Sequence, residues 1–362
     1  MKKYIYLFSV LAVFACSKEK MQDAYVSTES HELNISEDNF EVDYKGQTLK
    51  IEIKSNGKWK ASSNVDWITV DNSEREGHGV LNITVAENTS KYYSRAGQVN
   101  ISYDVVKRPI SIRQEQAGIL KVVIDNKHRF NMIPVERGTF TMGDNSADDN
   151  VNHQVEITKD YYIGETEVTQ LIWLAVTGYM PTETGKQWED TYKIDVNNPA
   201  YYISYNDCEK FIEQLNAKTG MKFRFPTEAE WEFAAKGGTQ SKGYKYAGSN
   251  NIADVAWYKG NAAGLGLKNP AYGTHEVKTK QPNELGIYDM SGNVEEWCFD
   301  WYEPYSVEAQ TDPTGPATKP RSAGRVYRGG TWGSEASDCL LNKRDSHADG
   351  TRSQFVGLRL AL

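Results

Sequence analysis

The stretch Leu285–Tyr302, LGIYDMSGNVEEWCFDWY, decides how the chain beyond about residue 130 is read. It interleaves Asp289, Glu295, Glu296 and Asp300 with Trp297 and Trp301, around the bend-forming run Ser291-Gly292-Asn293. That mixture is too polar for a plain buried strand and too aromatic for a surface loop. It reads as a turn followed by a tryptophan-anchored strand. Asp289 and Glu296 can supply charged oxygens and the Ser291-Gly292 bend can turn carbonyls inward, the oxygen-rich coordination that calcium prefers. The competing reading is a tight turn with solvated acids and core tryptophans, and spacing alone leaves both open.

Working outward, 362 residues correspond to two or three domains at ~100–200 residues each. The 22 tyrosines and 9 tryptophans give enough apolar material for compact cores. A formal charge of −8 without a basic cluster argues against nucleic acid as the main partner, because phosphate binding needs a basic face. Four cysteines do not make a disulfide scaffold. No phosphate-cradling glycine loop, HExxH pair or GxSxG elbow occurs.

At the N-terminus, Lys2-Lys3, the apolar run Tyr4–Ala15 and then Cys16 read as an export signal too short to span a bilayer. The Ala15-Cys16 junction resembles the lipobox of bacterial lipoproteins, with Phe14 bulkier than the usual pattern. The resemblance implies cleavage after residue 15, a lipid on Cys16 and a place in the bacterial envelope as an outer-membrane lipoprotein. Residues 16–30 are polar and aperiodic, a flexible tether.

Residues 31–118 alternate apolar and polar side chains in short runs such as Leu49-Ile51-Ile53, Leu81-Ile83-Val85 and Val99-Ile101-Tyr103, separated by glycine-rich turns. Period two at this spacing predicts an all-β, Ig-like antiparallel sandwich with Trp59 and Trp67 in its core. Trp67–Val70 (WITV), Asn88-Thr89, Arg95-Ala96-Gly97 and Gln114–Gly118 resemble the BACON domain. That family is linked to carbohydrate binding by association, but no row of exposed aromatics is evident here, which favours a spacer. Residues 119–129 read as a linker.

Residues 130–362 carry FNMIPVERGTFTMGD (Phe130–Asp144), TEVTQLIW (Thr166–Trp173), FRFPTEAEWEFAAKGG (Phe223–Gly238), PNELGIYDMSGNVEEW (Pro282–Trp297), RVYRGGTW and a final VGLRL. Thr227 and Glu230 form a capping box after Pro226, and Gly237 can close the helix that follows. Phe211, Ile212 and Leu215 give Asn206–Thr219 an amphipathic helical spacing. Together these motifs resemble the formylglycine-generating enzyme (sulfatase-modifying factor) family, in order and end to end. The resemblance implies an α+β, C-type-lectin-like fold rich in coil. It also implies a calcium site on Asp289, Gly292, Val294 and Glu296, with Glu295 standing where the family usually has tryptophan.

Members of that family oxidise a substrate cysteine with oxygen and copper(I), held by two thiolates just after a GGS motif. Soft monovalent copper favours thiolate donors. Here the motif is Gly329-Gly330-Thr331-Trp332. A gapless alignment puts Ser334 and Cys339 at the two thiol positions, so the pair is broken and copper is not expected. A Cys298–Cys339 disulfide fits an exported, oxidising setting, and Cys208 reads as a small buried apolar residue. The sequence therefore points to a non-catalytic module for a protein or glycan ligand, with Thr331, Trp332, Ser334, Asp338, Asp345 and His347 facing it. The region Thr331–Gln354 is similar to the variable region of diversity-generating retroelement targets. The alternative is a maturase for sulfatases.

Overall fold

A computed structural model describes residues 31–71, 73–181, 187–321 and 323–362; the export segment and Cys16 lie outside the described residues. The alternating runs of the first domain become two facing sheets. Strands Leu33–Ile35, Gln47–Ser55, Gly79–Val85 and Ile68–Val70 form one antiparallel sheet in that order. Strands Asn39–Val42, Val106–Gln114, Arg95–Tyr103, Lys58–Ser63 and Glu74–Glu76 form the other, whose first pair is parallel. Successive side chains of a strand point to opposite faces, so Leu49, Ile51 and Ile53 turn inward against Val99, Ile101, Ile110 and Ile112. Trp59 is fully buried and donates its indole N–H to the Gly77 carbonyl at 2.9 Å. Trp67 is partly buried and packs against the same core from its edge, with the Arg95 guanidinium 4.3 Å from its ring.

The supposed linker 119–129 is not a linker. Leu120–Val123 pairs antiparallel with Arg129–Val135, which in turn pairs with Tyr161–Gly164. The stretch is the edge hairpin of the second domain, and its polar turn hid a four-residue strand. Nor does the first domain stand off as a spacer. Gln116 donates to the Leu285 carbonyl at 3.1 Å, Tyr92 donates to Asp160 and Tyr93 to Glu136. Gly286 has φ +87°, and a Cβ there would lie 3.0 Å from Arg113 Nη2.

The second domain packs helices and coil around the strand Glu295–Trp301. This strand pairs antiparallel with Arg325–Arg328 and in parallel with Val356–Gly357. Helix α1 (Gln170–Thr177) is capped by Thr169 and ends at Gly178 in the left-handed region. Helix α2 (Tyr205–Thr219) starts on a Ser204–Asp207 capping box and buries Cys208, Phe211, Ile212 and Leu215. Those spacings make one apolar stripe. Helix α3 (Glu228–Ala235) uses the expected Thr227–Glu230 capping box, and Arg224 holds Glu230 at 2.6 Å. The core on one side of the strand is aromatic, with Trp173, Trp188, Tyr201, Phe211 and Trp297. On the other side Trp231, Phe233, Leu285 and Cys298 pack together.

Candidate functional site

The turn that opens the decisive stretch is held from several directions. Asp289 and Asn293 adopt φ of 58° and 60°, a region that short polar side chains tolerate better than others. Gly292 must be glycine, because a Cβ would come within 2.2 Å of the Trp257 carbonyl oxygen. Gly292 N donates to Gly329 O and Trp332 N donates to Asn293 O, both at 2.8 Å, which staples the turn to the Gly329–Trp332 loop. Asn293 accepts from His275 N at 3.0 Å and donates to Glu167 at 2.9 Å, while Val294 N donates to the other Glu167 oxygen at 3.0 Å.

The carboxylates below the turn have different fates. Glu296 accepts from Arg359 Nε and Nη2 at 2.7–3.0 Å and from Trp231 Nε1 at 2.6 Å, so both its oxygens are occupied. A bidentate guanidinium pair of this kind is the strong form of an ion pair. Glu296, expected from the sequence to face a cation, is here satisfied by N–H donors on both oxygens. Asp289 differs. Its Oδ2 accepts from Lys278 N at 2.9 Å, whereas its Oδ1 is buried without a partner. Burial, chiefly, pushes the Asp289 carboxyl up to about 6, and burial also raises Glu167 well above the usual carboxylate range. Of the four residues Asp289, Gly292, Val294 and Glu296, the first keeps an unpartnered side-chain oxygen and the last has both of its oxygens paired. Among the described residues no three His, Cys, Asp or Glu side chains converge as a metal cluster.

Beyond the stapled loop lies a polar pocket of about 290 Å³, lined by Glu295, Tyr327, Gly329, Gly330, Ser334, Asp338, Lys343 and Asp345 among others. Gly330 lets the Ala336–Cys339 turn close over it: a Cβ there would lie 2.8 Å from both Asp338 O and Cys339 Sγ. The Ser334 hydroxyl lies 3.0 Å from both Thr331 N and Thr331 Oγ1. His347 Nε2 lies 3.0 Å from Glu295 Oε1, and its ring stacks on Tyr327 at 4.2 Å. The structure thus brings Ser334, Asp338 and Asp345 to one pocket and sets His347 behind it through Glu295. It does not bring Thr331 and Trp332 to the surface. Thr331 is buried, and Trp332 is 1% exposed between Tyr272 at 4.9 Å and Phe355 at 5.0 Å.

The cysteines do not pair. Cys298 and Cys339 are both free and buried. Cys298 packs with Trp231 and Phe233, while Cys339 packs with Ile252 and Ala256, so separate clusters hold them apart. Cys208 is also free and buried, in the stripe of α2. Burial pushes the Cys339 thiol up to about 12.

With the fold and this geometry in view, the chain belongs to the sulfatase-modifying factor enzyme 1-like family, whose model matches residues 122–362. A BACON model, described as a putative binding domain, matches residues 57–115. Among particular relatives, the chaperone protein LppX of Paenibacillus barcinonensis is 34% identical over 247 residues, covering 59% of this chain and 82% of that protein. The formylglycine-generating enzyme of Streptomyces coelicolor is 34% identical over 175 residues, covering 46% of this chain and 52% of the enzyme. Among solved structures, Treponema denticola variable protein 1 superimposes with a TM-score of 0.57 at 30% identity, covering 67% of this chain and 98% of that one. PvdO of Pseudomonas aeruginosa shares the fold, with a TM-score of 0.52 at 24% identity over 67% of this chain and 97% of its own.

Proposed function

We propose that this chain is a non-catalytic, ligand-binding member of its family, held on the bacterial envelope through lipid on Cys16 and presenting the Ser334 pocket to a protein or glycan ligand. One observation carries the reading: where the family's copper-binding thiols are expected to fall, this chain has a hydrogen-bonded serine and a buried thiol whose ionisation is opposed by burial. A hydroxyl is a hard neutral donor, and a thiol in apolar surroundings is inert, so neither supplies the thiolate that copper(I) needs. A relative named as a chaperone supports a polypeptide ligand. Among the described residues no helix is long and apolar enough to cross a membrane.

The test is direct. Protein incubated with copper(I), oxygen and a cysteine-containing sulfatase peptide leaves the peptide's intact mass unchanged; formylglycine in the peptide overturns the reading. The second reading, a sulfatase maturase, draws on the identity to the Streptomyces coelicolor enzyme. A sulfatase gene beside this one favours it, whereas a reverse transcriptase gene with a near-repeat favours a diversified receptor. The calcium reading narrows to Asp289, whose unpaired Oδ1 is the donor left for a cation.

A further inference from the structure

A second cavity, of about 460 Å³, shares only the Arg344 wall with the Ser334 pocket. That volume suits a small organic ligand. Pro304, Pro313, Pro316 and the ring of Tyr305 give it apolar walls. Two acceptors on its walls belong to largely buried residues and have no protein partner. Asp300 is 4% exposed; its Oδ2 accepts from Glu228 N at 2.8 Å, and its Oδ1 makes no hydrogen bond. Gly315, with φ +67°, leaves room above that oxygen: a Cβ would lie 3.1 Å from it. His153 is also 4% exposed. Its Nδ1 lies 3.1 Å from the Val151 carbonyl, which assigns the proton to Nδ1 and leaves Nε2 as an acceptor with no partner.

No wall cation answers these acceptors. Arg344 spends its N–H groups on Glu228 at 2.8 Å and on the carbonyls of Asp149 and Glu303, with its guanidinium against the rings of Tyr302 and Tyr305. A carboxylate oxygen and an imidazole acceptor, neither with a protein partner, complement a ligand that brings both donors and positive charge. Burial and then Glu228 push the Asp300 carboxyl up to about 8, so a cation is the partner its ionised form lacks. A metal ion is disfavoured, since among the described residues no three ligating side chains converge.

The geometry points to a binding site for a small organic ammonium ion, its –NH₃⁺ on Asp300 Oδ1 and its apolar stem along the proline-lined wall. The site is independent of the Ser334 pocket. Titration calorimetry on the full chain at about pH 9, where Asp300 is ionised and an alkylammonium keeps its charge, with pentylamine, 1-pentanol and pentanoate tests it. Pentylamine binds, the alcohol and the carboxylate do not, and Asp300→Asn, which keeps an oxygen for Glu228 N, weakens pentylamine by about tenfold or more. Should that variant misfold, Thr311→Trp decides: Thr311 is an exposed rim residue, and the larger side chain narrows the mouth and weakens binding similarly. Absent heat with pentylamine, equal binding of 1-pentanol, or affinity unchanged in the folded variants overturns the assignment.

Discussion

Glu295 and Glu296 are the same residue type, adjacent on the same strand, yet they belong to different parts of the molecule. Alternation along a strand sends neighbours to opposite faces. Glu296 goes inward, where its side chain is 1% exposed and locked on Arg359, itself fully buried. Glu295 goes to the floor of the Ser334 pocket and touches His347, whose side chain is 32% exposed. Glu295 is a carboxylate facing a cavity, while its neighbour keeps the core together. The lesson is that an acid in this motif acquires its role from the face it occupies.

The largest expected effect breaks the inner member. Glu296→Ala leaves Arg359 charged and uncompensated in the core, and removing one partner of a buried pair costs ~3–5 kcal/mol. Urea unfolding measures it, and a loss below about 1 kcal/mol would erase the contrast, since that is the range of an ordinary hydrogen bond. Glu295→Gln keeps its shape and an acceptor for His347, so the same titration should return roughly 1 kcal/mol or less. A loss equal to that of Glu296→Ala would show that both acids are structural.

An intermediate effect comes from pH. The Asp300 carboxyl is raised to about 8 from an ordinary 3.8, so the folded chain holds a proton that the unfolded chain has released. Its contribution to stability is complete below about pH 4 and is lost as pH rises towards 8, at no more than ~1.4 kcal/mol per pH unit for one proton. Asp300→Asn removes that titration, so stability should fall less steeply across this window in the variant than in the wild type. Identical slopes would contradict the assignment. The smallest effect is calcium removal. With Glu296 occupied by Arg359, a chelator should shift the melting temperature far less than Glu296→Ala does, and Asp289→Asn should abolish what shift remains. Equal melting of the wild type in calcium and in chelator would remove calcium from Asp289.

Much of this architecture was legible because its causes are local. The Thr227–Glu230 box, the stripe of Phe211, Ile212 and Leu215, and the alternation Leu49-Ile51-Ile53 each act within a few residues. The partners that decide the site do not. Arg359 meets Glu296 from 63 positions away, and Glu167 reaches Val294 from 127. The one hint was an arginine set between Leu358 and Leu360 in VGLRL, where an unpaired charge would be costly. Trp332 read as a ligand-facing residue because Tyr272 and Phe355, which cover it, lie in loops without periodicity. His153 and Asp300 gave no signal as a pair, since strand ends far apart in sequence bring them to one cavity.

Loss of the soft donor pair is read out by a copper(I) titration of the full chain against a chromophoric chelator. The chelator should keep the metal, and no sulfur-to-copper charge-transfer band should develop. One equivalent of copper withdrawn into a dithiolate centre, with that band present, would contradict it.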